Sequence, residues 1–254
     1  MSLQDDFLRL VLSRHSVQTG PSSHAEATGR ALYPWISNWA GAYLADVRFS
    51  GSYAKGTAVS GTTDVDLFIA LNADTPGTLR DIYWSLFQAA AATGLSPRPQ
   101  NVSVGAVYQE ISVDLVPARV QSGYTQWHSL YRRRRDSWTQ TNVAKHIEVV
   151  GQSRRTEEIR AIKIWRKLCG LDWPSFYLEL TVLAACHGRP VGDLANNVWN
   201  SFRYIAENLA TARVVDPSNS NNVLSDELTA AEKNPIIAQA RHALAQQNWG
   251  QIIQ

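Results

Sequence analysis

FSGSYAKGTAVSGTTDVDLFIAL, residues 49–71, places a Gly-Ser turn and two aspartates ahead of an apolar strand. Successive side chains of a strand point to opposite faces, so Asp64 and Asp66 share one face while Val65 and Leu67 share the other. The apolar face is expected to be core. Two neighbouring carboxylates repel each other unless a cation lies between them or one takes a proton. The pair therefore predicts a divalent cation at the start of this strand.

A second strand offers a third carboxylate. In ISVDLV, residues 111–116, the apolar side chains share one face and Asp114 lies on the opposite one. If the two strands are neighbours, Asp114 converges with Asp64 and Asp66. Three carboxylates without a histidine or cysteine form an oxygen-only site, which suits Mg²⁺ or Mn²⁺ and leaves positions for phosphate oxygens. In the alternative interpretation, Asp64 caps a turn and the other two aspartates are solvated residues of edge strands.

The turn at Gly51 and Ser52 favours the first interpretation. A strand that ends in a tight Gly-Ser turn before a helix offers backbone N–H groups and a hydroxyl to a phosphate. A phosphate-binding turn close to carboxylates forms one constellation. It predicts a site for a phosphorylated substrate together with a divalent cation.

Composition limits the class of protein. The 254 residues suffice for two modest domains, and 44% apolar with 18% charged residues is typical of a globular fold. A net charge of +2 argues against a protein that coats nucleic acid by bulk charge. Two cysteines, Cys169 and Cys186, are too few for a Cys-rich zinc site or a disulfide scaffold, which favours a reducing compartment.

The sequence pattern predicts neither a signal peptide nor a membrane-spanning segment. Asp5 and Asp6 stand where a signal peptide would need basic residues, and no apolar run has the length that spans a bilayer. We expect a cytoplasmic protein without a membrane partner.

Hydrophobic periodicity predicts an α+β chain. Two helices are expected within residues 3–44, and a helix at 78–92 is expected to interrupt four strands at 47–50, 65–71, 102–108 and 111–116. After Pro117 the pattern becomes mostly helical, with helices at 157–169, 176–186, 197–209 and 236–247 and a loop at 216–222. These elements predict a small mixed sheet backed by helices, followed by a helical lobe.

One helix of that lobe carries a basic stripe. At about 100° per residue, Arg160, Lys163 and Lys167 fall in one narrow sector, away from the apolar residues. The stripe is either a solvated face or a contact surface for phosphates.

The residues resemble those of the polymerase-β-like nucleotidyltransferases. The Gly51-Ser52 turn, the Asp64-Val65-Asp66 strand and the later Asp114 look most like the branch of CD-NTases (cGAS/DncV-like enzymes), oligoadenylate synthetases and archaeal-type CCA-adding enzymes. EIRAIKIWRK, residues 158–167, and PSFYLE, residues 174–179, resemble segments that contact the donor triphosphate. The likeness extends from about residue 49 to residue 179.

The resemblance implies a polymerase-β-like palm at residues 1–145, including the N-terminal helices, and a helical lobe at 146–254 that completes an active-site cleft. It implies nucleotidyl transfer with two Mg²⁺ or Mn²⁺ ions held by the catalytic residues Asp64, Asp66 and Asp114. The nucleotide-binding residues that it implies are Gly51, Ser52, Lys163, Lys167, Ser175 and Phe176. The last of these either stacks on a base or packs in the core.

The acceptor is less specified than the donor. The resemblance favours an enzyme that joins NTPs, with ATP expected among them, into a cyclic or linear oligonucleotide second messenger for bacterial antiviral signalling. The acceptor would then be a second nucleotide. The alternatives are transfer to an RNA 3′ end, transfer to a protein, and a non-catalytic nucleotide- or RNA-binding module.

Overall fold

A computed structural model describes residues 2–61 and 64–254. Its helices are α1 (Leu3–Arg14), α2 (His24–Ala40), α3 (Gly51–Ala54), α4 (Leu79–Ala92), α5 (Val143–Ser153), α6 (Thr156–Leu168), α7 (Ser175–Ala185), α8 (Leu194–Asn208) and α9 (Ala230–Leu244). Its strands are β1 (Leu44–Phe49), β2 (Val65–Leu71), β3 (Arg98–Pro99), β4 (Val104–Tyr108), β5 (Ile111–Gln121), β6 (Tyr124–Arg132), β7 (Ser137–Thr141), β8 (Val215–Asp216) and β9 (Asn219–Val223).

The main sheet is mixed, as the sequence predicts. Its strands lie in the order β1-β2-β5-β4-β3, and the second half of β5 pairs with β6, which pairs with β7. Strands β2 and β5 are parallel, whereas the other neighbours are antiparallel. Both β2 and β5 therefore lie in the interior of the sheet.

Two compact units make up the chain. The sheet unit comprises residues 18–55 and 63–147, and the helical unit comprises residues 1–17, 56–62 and 148–254. The predicted division at residues 145 and 146 stays a prediction, and α1 falls in the helical unit instead of among the elements of the sheet.

The sheet unit has its main core on one face of the sheet. Val65, Leu67 and Ile69 of β2 are buried there with Val113 and Leu115 of β5, against residues of α2 and α4. Alternate residues of the same strands, such as Phe68 and Ala118, pack in a smaller cluster on the other face. The alternation of side chains along each strand thus places successive residues in the cores on opposite faces of the sheet.

The helical unit buries the apolar stripes of α1, α6, α7, α8 and α9 in one core. Trp165, Tyr177 and Phe202 are among its largest fully buried side chains. No helix in the described part of the chain is long and apolar enough to cross a membrane.

The prediction of a mostly helical chain after Pro117 was wrong in part. Strand β5 continues through Pro117 to Gln121, and β6 and β7 follow it. The signal was weak because the buried positions of β6 include His128. The loop predicted at 216–222 forms a short hairpin of β8 and β9, in which the Asp216 carboxylate accepts hydrogen bonds from the Ser218 backbone and hydroxyl.

Candidate active site

Asp66 and Asp114 are direct register partners in the parallel pair of β2 and β5. Paired residues of neighbouring strands project from the same face of a sheet, so the two carboxylates lie side by side. Both strands are interior, which contradicts the alternative that these aspartates lie on edge strands. Asp64 is exposed and precedes β2 by one residue.

The turn at Gly51 approaches Asp66 closely. The Ser50 amide donates to the Asp66 carbonyl at 2.9 Å, which ties the turn to β2. Gly51 has φ +57°, and a Cβ at this position would lie 1.7 Å from Asp66 Oδ2. Only glycine allows this approach. Ser52 follows within the short helix α3, so the predicted phosphate-binding turn and one predicted metal ligand are neighbours.

Asp114 is held in a half-buried environment. Gln100 Nε2 donates to its Oδ1 at 2.8 Å. Burial, and second the charge of Asp64, raise the pKa of Asp114 to about 6, although the Gln100 hydrogen bond acts in the opposite direction. The raised pKa means that a negative charge at Asp114 is costly without a cation.

The raised pKa of Asp114 predicts how stability depends on pH. A carboxyl whose pKa is higher in the folded protein than the ordinary aspartate value of 3.8 disfavours folding as pH rises through the interval from about 4 to about 6. Above that interval Asp114→Asn should raise the free energy of unfolding, by on the order of 2 kcal/mol. Urea denaturation without metal at pH 4 and pH 8 measures this. A gain of equal size at both pH values would contradict the origin in ionisation.

The donor set fits a hard divalent cation by charge and by atom type. Asp66 and Asp114 are neighbours on paired strands, and the negative charge of Asp64 contributes to the raised pKa of Asp114. Three carboxylates supply the oxygen ligands that such a cation prefers. Within the ranges 2–61 and 64–254, no three His, Cys, Asp or Glu side chains are gathered closely enough to hold a metal ion. Asp66 and Asp114 are paired between the strands, whereas Asp64 is exposed and precedes the register pair.

The helical unit holds the predicted lysine in a buried polar network. Lys163 Nζ lies 2.6 Å from Glu179 Oε1 and donates to Thr57 Oγ1 at 3.0 Å. Thr57 Oγ1 in turn donates to Glu179 Oε1 at 2.7 Å. Lys163 and Glu179 expose only 2% and 0% of their side chains. This ammonium is therefore neutralised inside the protein, and its contact with a triphosphate stays a prediction.

Breaking this ion pair is expected to destabilise the protein strongly. Lys163→Met leaves the Glu179 carboxylate buried without its cation and should lower the free energy of unfolding by about 3 kcal/mol. The double variant Lys163→Met, Glu179→Leu should recover much of that loss, because neither charge remains buried. Urea denaturation of the single and double variants measures the difference. A double variant no more stable than the single one would contradict the stated cause.

The other predicted nucleotide contacts also lie in the helical unit. Lys167 is exposed, and its Nζ donates to the Ser60 carbonyl at 3.1 Å. Ser175 begins α7, and its hydroxyl accepts from Arg166 at 3.1 Å. Phe176 packs partly against the core of this unit. Their roles toward a nucleotide stay predictions.

The basic stripe of α6 is not a simple solvated face. Arg160 is half-buried and donates to the Leu12 carbonyl of α1 at 2.8 Å, and Lys163 is fully buried. Lys167 alone of the three is exposed. Helical periodicity placed these residues in one sector but could not show what that sector contacts.

Sequence reasoning missed the partners of the predicted residues. Gln100 donates a hydrogen bond to Asp114 and accepts one from Ser103, while Thr57 and Glu179 contact Lys163. Thr57 and Glu179 lie within segments that carry the family resemblance, so their place in those motifs was an available signal. Gln100 lies outside any motif, and only the fold reveals it.

Sequence comparison relates part of the chain to a known domain. Residues 37–151 match the sequence model of the nucleotidyltransferase domain. The cyclic AMP-AMP-AMP synthase of Escherichia coli strain MS 115-1 is 28% identical over 142 residues, which cover 50% of this chain and 44% of that protein. The chain therefore matches less than half the length of this relative.

Solved structures share the fold across nearly the whole chain. The structure of E. coli MS115-1 CdnC with ATP has a TM-score of 0.73 at 19% identity and covers 95% of this chain and 90% of its own. The Bradyrhizobium diazoefficiens CD-NTase CdnG in complex with GTP has a TM-score of 0.74 at 16% identity, over 98% and 95%. At these identities the likeness concerns the fold. The resemblance found in the sequence is thus confirmed: residues 37–151 match a nucleotidyltransferase domain, and the chain is similar to CD-NTases in sequence and fold.

Proposed function

We propose that this protein is a metal-dependent nucleotidyltransferase that joins NTPs into a cyclic or linear oligonucleotide second messenger. The observation that carries the proposal is the direct register pair of Asp66 and Asp114 on interior strands, with the glycine turn against Asp66. Paired carboxylates beside a turn that can hold phosphate are what transfer from a nucleoside triphosphate needs.

In the proposed reaction, an acceptor hydroxyl attacks the α-phosphorus of the donor in line. A bond forms between the hydroxyl oxygen and the α-phosphorus, and the bond from that phosphorus to the bridging oxygen breaks, so that pyrophosphate leaves. Asp114 is proposed to help accept the proton of the attacking hydroxyl. Gly51 and Ser52 contact the β- and γ-phosphates.

Asp64, Asp66 and Asp114 are the residues that would hold divalent cations, Mg²⁺ or Mn²⁺, with two ions proposed. Such cations supply positive charge that stabilises the leaving phosphates and lowers the pKa of the attacking hydroxyl. The carboxylate oxygens of these residues would hold and orient the cations.

A nucleotide acceptor is favoured over RNA or protein by the relatives. The similar curated protein is named cyclic AMP-AMP-AMP synthase, and the similar solved structures contain ATP or GTP. We extend this to a proposed role in antiviral signalling, with ATP as a donor and a second nucleotide as the acceptor. Because the match spans less than half of the curated relative, the whole activity is part of the proposal.

The experiment is to incubate the purified protein with each α-labelled NTP, singly and mixed, with Mg²⁺ or Mn²⁺. Products are separated by chromatography after phosphatase treatment. We expect a phosphatase-resistant small product that the Asp64→Asn, Asp66→Asn variant does not form. The label that enters the product identifies the base.

A labelled product that appears only when RNA or a protein is added would show that the acceptor is that RNA or protein and not a second nucleotide. No product and no pyrophosphate release under any of these conditions would overturn the proposal and favour a binding module.

A further inference from the structure

The amide of Gln100 is held at both ends beside Asp114. Its Nε2 donates to Asp114 Oδ1 at 2.8 Å, and its Oε1 accepts from Ser103 Oγ at 2.7 Å. An amide can flip about its last torsion, exchanging donor and acceptor. The Ser103 hydroxyl, which also donates, favours the orientation in which the nitrogen faces the carboxylate.

The space for this amide is left by a missing side chain. Gly105 of β4 is the register partner of Asp114 on the neighbouring strand. A Cβ at Gly105 would lie 2.7 Å from Gln100 Nε2 and 3.5 Å from Asp114 Oδ1. Any larger residue would push the amide away from the carboxylate.

The backbone that carries Gln100 is itself anchored. The hydroxyl oxygen of the fully buried Tyr83 lies within hydrogen-bond distance, 2.9 Å, of the carbonyl oxygens of both Gln100 and Ser103. The Gln100 amide N–H donates to the Ser103 carbonyl at 3.1 Å, and Arg133 Nε donates to the Gln100 carbonyl at 3.0 Å. The short turn at 100–103 is therefore fixed before any ligand arrives.

The chemistry of the donor matters as much as its position. A lysine or arginine at this place would neutralise Asp114 and compete with a bound cation, whereas a neutral amide orients the carboxylate and leaves its charge. A hydrogen bond to one carboxylate oxygen also fixes the plane in which the second oxygen lies.

We propose that Gln100, clamped by Ser103 in the space left by Gly105, is the positioning residue of Asp114. It fixes the Asp114 side chain so that the carboxylate is ready to bind a divalent cation together with Asp66. The effect of Gln100 on catalysis rests on the proposed function, but its effect on metal binding can be measured without turnover.

The test compares Gln100→Leu and Ser103→Ala with a matched control, Gln121→Leu. Gln121 lies on the same strand as Asp114 and donates to Ser129 Oγ at 3.1 Å, so its loss removes a Gln–Ser hydrogen bond without contact to an aspartate. The dissociation constant of Mn²⁺ alone is measured by the electron paramagnetic resonance signal of the free ion. NTP turnover at saturating metal is measured in parallel.

Gln100→Leu should raise the Mn²⁺ dissociation constant about 10-fold, as expected for loss of a group that orients a metal ligand. It should lower kcat by a similar factor and leave the KM for NTP within about 3-fold, because uniform substrate binding is untouched. Ser103→Ala should show the same pattern with a smaller change, and Gln121→Leu should resemble the wild type.

Mn²⁺ binding by Gln100→Leu equal to that of the wild type would overturn the inference, and so would a wild type that binds no Mn²⁺. A wild type that binds Mn²⁺ but forms no product would overturn the proposed function alone. The Mn²⁺ measurements on the variants would then still decide the role of Gln100.

Discussion

Asp66→Asn is expected to lower nucleotidyl transfer by at least about 1,000-fold, as removal of a central catalytic group does. The substitution keeps the shape of the side chain but removes the charge that faces Asp114 across the parallel pair. An amide is a poor ligand for a hard cation and would leave the site one carboxylate short. Product formation from labelled NTP, at equal protein concentration, measures the loss.

A matched control separates this effect from a general loss of charge. Asp74 is exposed and lies just beyond the end of β2, so Asp74→Asn makes the same chemical change on the same segment without touching the site. It should retain wild-type turnover, and circular dichroism should show both variants folded. Near wild-type activity of an Asp66→Asn, Asp114→Asn double variant would refute the proposed mechanism.

Gly51→Ala is expected to be the most damaging single-methyl substitution in the turn. The new Cβ would lie 1.7 Å from Asp66 Oδ2 and 2.3 Å from its Cγ, so the turn or the aspartate must move. Because this clash adds to the strain of a positive φ, we expect the free energy of unfolding to fall by about 3 kcal/mol or more. Turnover should fall as well, because Asp66 is displaced.

Gly41 provides the control for backbone strain. It also has φ +57°, and a Cβ there would meet no atom within 4 Å. Gly41→Ala should therefore incur only the strain of its backbone conformation, φ 57° with ψ −136°, which costs a residue with a Cβ on the order of 1–3 kcal/mol. Urea denaturation of both variants isolates the contact with Asp66. Equal losses for the two substitutions would contradict the close approach of the turn to the carboxylate.

The sequence pattern was sufficient to predict features that depend on neighbouring residues, such as strand alternation and the start of a helix. The alternation around Asp66 predicted which side chains enter the core, and Val65, Leu67 and Ile69 are buried as expected. The helix predicted at 78–92 begins one residue later, because Thr78 is its N-cap and forms a capping box with Asp81. Strands β6 and β7 were missed because their alternating pattern is weak, so their pairing with the rest of the sheet decides their structure.

The sequence by itself determined the α+β class, the nucleotidyltransferase resemblance and the facing of Asp66 away from the core, since these depend on residue spacing and composition. Only the tertiary structure decided that Asp66 and Asp114 are register partners, because strand order and register depend on contacts between distant segments. It also decided that Gln100 holds Asp114 and that Lys163 is paired with Glu179. The identity of a polar residue does not show whether its side chain contacts solvent, a ligand or a buried partner. The packing of the folded chain determines that contact.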